Sequence, residues 1–281
     1  MNRAMWLALA FEDTRDEYET NPELRAAVDK SKADARLYRP SDRLELPSPK
    51  DAAPAILVSG SKTFEAARRL REENPSWRVA VLNFASATNP GGGVLNGASA
   101  QEESLCRCST LYPTLDQQRF WDGYYLYHRR RGDMRYTDAC IYSPDIVVFK
   151  RDAEYPEPTP RSEWFEVDVV TCAAPNLRFV PARPAGSHGD AWVAVDDEEL
   201  RCLHVSRGRR ICEVAAANGV DALVLGAFGC GAFCNDPRVV ANAYKTVLDE
   251  MGPRFERVEF AIFCAPGAES ENYRAFADVF A

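Results

Sequence analysis

The residue types that could do chemistry sit in and after two glycine-rich stretches. The first runs Asn89-Pro90-Gly91-Gly92-Gly93-Val94, and seven residues separate Gly93 from Gln101-Glu102-Glu103. Three consecutive glycines are costly in conformational entropy. That cost is explained where a ligand must approach bare backbone, because successive N–H groups then form an anion-binding nest. A flexible turn is the plainer reading of a triple glycine taken alone. The acidic pair alters it. Carboxylates in a first helical turn offset the helix dipole, but adjacent side chains on a helix diverge by roughly 100°. One carboxylate can therefore hold a sugar hydroxyl while the other meets a leaving oxygen. Asn83, Asn89 and Asn96 are hydroxyl-binding candidates by position, although Asn in loops also caps turns.

The second stretch is Gly226-Ala227-Phe228-Gly229-Cys230-Gly231-Ala232-Phe233, followed by Cys234-Asn235-Asp236-Pro237. Its spaced glycines expose backbone donors close to a helix start, which suits a diphosphate. No Gly-Lys-Ser/Thr follows, so it is not a P-loop, and it lacks the dinucleotide-binding spacing. Of its two rings, Phe233 is expected to face the ligand and Phe228 the core.

The elements that must position these loops follow from periodicity. Ala55–Val58 and Val79–Phe84 read as buried strands around an amphipathic helix, Thr63–Glu73, with Phe64, Ala67 and Leu70 on one face. Gln101–Cys108 starts a helix directly after the first loop. Ala139–Tyr142 and Ile146–Phe149 read as paired strands about Ser143-Pro144-Asp145. Trp164–Cys172 reads as another strand, between Pro-rich loops at Glu154–Arg161 and Pro181–Asp190. A long helix, Asp196–Ala217, has Asp197 as its cap. Then come a strand at Ala222–Gly226, a helix at Arg238–Met251 capped by Asp236-Pro237, and a strand at Val258–Cys264. The chain before about Pro49 reads as helical with a polar linker, and Asn21-Pro22 starts one helix. This alternation predicts an α/β/α sandwich with a mixed, largely parallel sheet. Ligands then sit at strand C-terminal ends.

Composition narrows the partners. The 281 residues carry a formal net charge of −8. Binding to nucleic acid as such needs a basic face, so none is expected. Two basic runs, His128–Arg131 and Arg207–Arg210, read as solvated helix ends. No apolar run approaches the roughly 20 residues that span a bilayer, and the patch Met5–Phe11 reads as the start of a folded segment rather than a signal peptide. The nine cysteines are odd in number, and most lie among apolar neighbours, which predicts reduced thiols in the cytoplasm. Cys230 and Cys234 alone have zinc-like spacing, and they lie in the glycine loop, so no metal is expected. His128, His188 and His204 are isolated and read as surface or packing residues. Tyr124, Tyr125 and Tyr127 read as core.

The string Gly91-Gly92-Gly93, seven residues, Gln101-Glu102-Glu103 resembles the signature of poly(ADP-ribose) glycohydrolases. The wider stretch Asn89–Tyr112 resembles the bacterial, microbial-type branch, and Gly226–Pro237 resembles that branch's diphosphate loop. The two occur in the same order, and the resemblance extends over nearly the whole chain, with Val169–Asn176 as a third strong stretch. It implies a macrodomain-like fold with an N-terminal helical accessory segment at residues 1–50 and a catalytic domain at 51–281. It implies hydrolysis of ribose–ribose O-glycosidic bonds of poly(ADP-ribose) to release ADP-ribose, with a place in polymer degradation and the DNA damage response. Glu103 is then the catalytic acid, Glu102 helps hold the terminal ribose, and Gly91–Gly93 wrap the distal ribose and phosphate. The expected substrate-binding set is Asn83, Asn89, Gly91, Gly92, Gly93, Val94, Gln101, Gly226, Ala227, Phe228, Gly229, Cys230, Gly231, Ala232 and Phe233. No cofactor is implied. The partners are poly(ADP-ribose), ADP-ribose and ADP-ribosylated proteins, met by a monomer. Two alternatives are a non-catalytic ADP-ribose reader, which would not need Gln-Glu-Glu, and a mono(ADP-ribosyl) hydrolase, which the same pocket would serve.

Overall fold

The structure, a computed structural model, describes residues 2–178, 195–265 and 267–280. The expected loop Pro181–Asp190, with His188, lies outside them. The strands are β1 (Arg36–Tyr38), β2 (Ala55–Ser59), β3 (Val79–Phe84), β4 (Cys140–Val148), β5 (Lys150–Arg151), β6 (Glu157–Pro158), β7 (Phe165–Cys172), β8 (Ala222–Leu225) and β9 (Arg257–Ala261). Seven of them form one sheet in the order β1-β4-β7-β3-β8-β9-β2, while β5 and β6 pair separately. From β7 to β2 all neighbours are parallel; β4 and β1 extend that edge antiparallel. The central strands read as unbroken apolar runs because both their faces are covered. Ala80, Leu82, Val170, Leu223 and Phe260 enter one core cluster, and Val81, Val169 and Val224 the other.

The helices are α1 (Arg3–Thr20), α2 (Pro22–Asp34), α3 (Thr63–Glu73), α4 (Gln101–Cys108), α5 (Leu111–Leu115), α6 (Gln118–Phe120), α7 (Leu126–Arg131), α8 (Asp197–Ala217), α9 (Pro237–Met251) and α10 (Glu271–Phe280). Helices α8, α9 and α10 supply the first core; α1, α3, α4 and α5 supply the second. The caps are local. Asn21 accepts from Glu23 N–H at 3.0 Å to start α2. Asp236 accepts from Arg238 N–H at 2.8 Å to start α9.

Several expectations change. Ala55–Val58 is an edge strand rather than a buried one: β2 pairs only with β9, and Leu57 is exposed. Its covering helix α10 was not expected, and Phe260 of β9 stacks on Phe280 there at 4.6 Å. The two strands expected at 139–149 are one bent strand. The register shifts between Ser143 and Ile146, where Asp145 adopts φ +54° and donates its N–H to Asp168 at 2.9 Å. Ser143-Pro144-Asp145 is a β-bulge, because β7 pairs with both halves and leaves no room for a hairpin. The cap of α8 is Asp196, not Asp197. The run Arg207–Arg210 is not a solvated end: Arg207 and Arg210 are buried. Arg207 is satisfied there by Asp138 and by the Ala173 and Arg135 carbonyls. In the other basic run His128 is buried, and Tyr127, expected in the core, is exposed.

The N-terminal helices bear directly on the first glycine loop. α1 packs on the 3-10 turn Val94–Asn96 and on α4. At Gly97, with φ +71°, a Cβ would collide with the Ala4 carbonyl. Thr14 of α1 donates to the Arg107 carbonyl at 2.6 Å. Among the described residues, no helix is long and apolar enough to cross a membrane.

Candidate active site

The C-terminal ends of β2, β3, β7, β8 and β9 open into one cavity of about 1100 Å³. Parallel strands leave their loops and helix starts at this edge, and both glycine loops meet there. α4 begins at Gln101, so Glu102 and Glu103 stand at the head of a helix. Gln101 fixes that head to the sheet. Its Oε1 accepts from Phe84 N–H at 2.9 Å, and its Nε2 donates to the Leu82 carbonyl at 2.8 Å and to Thr63 at 3.1 Å.

The two carboxylates are both buried but differently bonded. Glu102 has both oxygens engaged: Oε1 accepts from Asn83 Nδ2 at 3.2 Å and Oε2 from Ser86 N–H at 2.7 Å, which leaves each a further lone pair. Glu103 is held by one oxygen only, Oε1, which accepts from Gly93 N–H at 2.8 Å. Its Oε2 has no partner among the described residues. Burial pushes the Glu102 carboxyl up to about 8, and the neighbouring Glu103 charge adds to that, against donated hydrogen bonds from Ser86, Asn83 and Gly91. Glu102 therefore keeps its proton at neutral pH. Gly92 explains the need for glycine. It has φ +60°, and a Cβ would lie within 3.0 Å of both carboxylates.

The cavity wall takes in Glu102, Glu103, Gln101, Asn89, Gly92 and Gly93 from the first loop. From the second loop it takes Ala227, Phe228, Gly229, Gly231, Ala232 and Phe233. Five expected residues stand behind the wall. Asn83 is fully buried and spans Glu102 and Thr171. Val94 fills the core beneath the glycine loop. Gly91 and Gly226 permit close packing, because a Cβ would strike Tyr112 in the one case and Phe84 in the other. Cys230 turns its Sγ to the Phe228 carbonyl at 3.7 Å. Of the two rings, Phe228 is fully buried and packs on Phe84 at 5.6 Å, while Phe233 is half-buried against Tyr136.

Sequence reading missed several wall residues: Arg3 and Leu7 of α1, Lys62, Tyr112, Trp121, Tyr136, Asn176 and Phe263. Asn176 follows β7, and the rule that ligands sit at strand ends would have found it. Tyr136 carries a different signal, a left-handed backbone at φ +58°, which is strained for a bulky residue and invisible in sequence. The run His128–Arg131 reaches the rim through Arg129, which lies over Trp121 at 5.0 Å and donates to the Thr88 carbonyl at 2.8 Å.

The chain is similar over most of its length to known proteins. The family model "Microbial-type PARG, catalytic domain" matches residues 10–151. A poly(ADP-ribose) glycohydrolase from Thermomonospora curvata is 35% identical, with 98% of this chain and 99% of that one covered and a TM-score of 0.78. The same enzyme bound to the inhibitor ADP-HPD gives 33% identity, 97% and 98% coverage, and 0.76. A poly(ADP-ribose) glycohydrolase from Deinococcus radiodurans in complex with ADP-ribose is 33% identical, covering 90% of this chain and 96% of that one, with a TM-score of 0.73. No curated protein matches.

Proposed function

The chain belongs to the microbial-type poly(ADP-ribose) glycohydrolase family, and on that premise we propose that Glu103 is the acid that cleaves the polymer, while Glu102 holds the terminal ribose. The chain is a glycoside hydrolase, releasing ADP-ribose from poly(ADP-ribose) at ribose–ribose O-glycosidic bonds. One observation carries the assignment between the two carboxylates. Both oxygens of Glu102 are engaged by protein donors, whereas Glu103 Oε2 has no partner among the described residues. A buried polar atom without a partner is costly, and a substrate oxygen supplies the missing one.

The chemistry then runs in two steps. Glu103 gives a proton to the departing ribose oxygen as the bond from that oxygen to the anomeric carbon breaks, leaving an oxocarbenium-like centre. The Glu103 carboxylate next takes a proton from water as the water oxygen bonds to that carbon. Only one carboxylate has a free oxygen, so the usual pair flanking the bond is absent. The substrate's diphosphate, held by main-chain N–H groups of the Gly229–Phe233 loop, stabilises the cation. Gly92 and Gly93 approach the distal ribose, and Phe233 packs on a sugar face.

The wider setting belongs to the same proposal. All nine cysteines are free thiols, which suits a cytoplasmic enzyme; action as a monomer on ADP-ribosylated proteins, in polymer turnover after DNA damage, is the setting we propose for it. The decisive experiment is release of ADP-ribose from auto-modified poly(ADP-ribose) polymerase by the unaltered chain and by Glu103→Gln. Release that vanishes in the variant, with ADP-ribose affinity kept, establishes the role. Retained release transfers the acid to another group.

A further inference from the structure

Helix α8 reaches the second glycine loop through one ring. His204 is fully buried on the inner face of α8, and its Nε2 lies 2.7 Å from Asn235 Oδ1. Asn235 sits two residues beyond Phe233 and acts as a staple. Its Nδ2 donates to the Pro175 carbonyl at 2.7 Å and to the Phe233 carbonyl at 3.0 Å. Its main-chain N–H donates to the Gly229 carbonyl at 3.0 Å. Asn235 thus ties together the start of the loop, its end, and the segment that follows β7. The Leu177 N–H repeats the last tie, donating to the Phe233 carbonyl at 3.0 Å.

This wiring fixes the chemistry of the ring. Both amide hydrogens of Asn235 are committed to carbonyls, so Oδ1 faces His204 and the ring donates from Nε2. Nδ1 is buried and has no partner among the described residues. Without the imidazole N–H, Oδ1 would be a buried acceptor with no donor. Rotating the amide would then set an oxygen against two carbonyl oxygens. The ring also meets Phe228 edge-on, with centroids 5.9 Å apart. Contact with Phe228 alone would make any apolar side chain of similar volume an adequate substitute.

We propose that His204 is a positioning residue for the reaction, which through Asn235 holds the Gly229–Phe233 loop in the shape that receives the diphosphate, without touching substrate. The inference rests on the reading of that loop as the diphosphate cradle. It separates hydrogen-bond donation from volume. His204→Gln places an amide N–H near the position of Nε2, whereas His204→Leu keeps the volume and removes the donor.

The test is calorimetric titration of ADP-ribose into the unaltered chain and both variants, with steady-state kinetics on poly(ADP-ribose). His204→Leu is expected to weaken ADP-ribose binding about tenfold, the scale of one lost hydrogen bond. KM should rise in parallel, and kcat should fall as well, because the same loop sets the diphosphate against the developing cation. His204→Gln should recover most of that affinity. Equal affinity in all three proteins, or equal loss in both variants, would overturn the proposal. Should His204→Leu fail to fold, long-range proton–nitrogen NMR of the unaltered chain decides instead: a hydrogen on Nε2 and a bare Nδ1 support the lock, and the opposite tautomer overturns it. Failure of the unaltered chain to bind ADP-ribose is a separate result, which removes the site reading itself.

Discussion

Glu102 and Glu103 are neighbours in the chain, and their side chains diverge because they start a helix. Divergence gives them different partners, and the partners give them different chemistry. Glu103→Gln keeps the shape and the contact to Gly93 N–H but cannot give up a proton. Turnover should fall by roughly 10²- to 10⁴-fold, the usual contribution of a general acid, while ADP-ribose affinity measured by calorimetry stays within a few fold. Comparable losses of both would show that the variant has disturbed the site. Gly92→Ala tests the same geometry from the other side. The new methyl would press on both carboxylates at a left-handed backbone position, so kcat should drop steeply even though no ionisable group is changed. A crystal structure showing Glu103 Oε1 still on Gly93 N–H, with normal turnover, would refute this. The candidate acids were legible in the sequence as paired carboxylates following a glycine run, and the structure brings both to the cavity wall. What spacing along the chain does not carry is which side of a loop faces the cavity. Asn83 and Val94 therefore looked like ligand contacts, and the structure places them behind the wall.

At the level of elements, the site depends on α4 being locked to β3 at one point. Gln101 makes that lock with three hydrogen bonds, using its whole amide on the sheet and on α3. Gln101→Ala leaves the Phe84 N–H and the Leu82 carbonyl without their partner. Stability should fall by about 1–3 kcal/mol, the cost of buried groups left unpaired, and kcat should fall with it because the carboxylates lose their anchor. Urea denaturation and initial rates measured on the same preparation check both. A stability loss with unchanged kcat would mean that the helix start is held by the glycine loop alone. Elements were legible where one periodicity ran without interruption. Thr63–Glu73, Val79–Phe84 and Gln101–Cys108 are found with the expected bounds. They were not legible where tertiary pairing overrode a local signal. Pro144 reads as a turn, yet β7 holds both flanks in one strand. The strand β1 and the helix α10 are recognisable only through what they cover.

Over the whole molecule, the buried ionisable groups set opposing demands on pH. Burial pushes both His128 and His204 down to about 4 from an ordinary value of 6.5. Each is neutral in the folded state at a pH where the unfolded chain would charge it. Their contribution is therefore present above pH 6.5 and is lost as pH falls towards 4. Glu102 works the other way. Its carboxyl is raised from 4.5 to about 8, so its contribution is present below 4.5 and is lost as pH rises through 8. The fold loses stability as pH falls from 6.5 towards 4 through two packing histidines, and as pH rises from 4.5 to about 8 through Glu102. Glu102→Gln cannot ionise, so it should flatten the fall in stability between pH 4.5 and about 8. Rearranged hydrogen bonds to Asn83 and Ser86 would add an offset that does not change with pH, which leaves the slope as the readout. Urea midpoints measured at pH 5, 7 and 9 should show the variant gaining on the unaltered chain with each step upward. His204→Gln should gain on it at pH 5 relative to pH 7. Parallel curves for Glu102→Gln would mean that Glu102 is ionised in the folded chain at neutral pH, and burial would not be what sets its proton affinity.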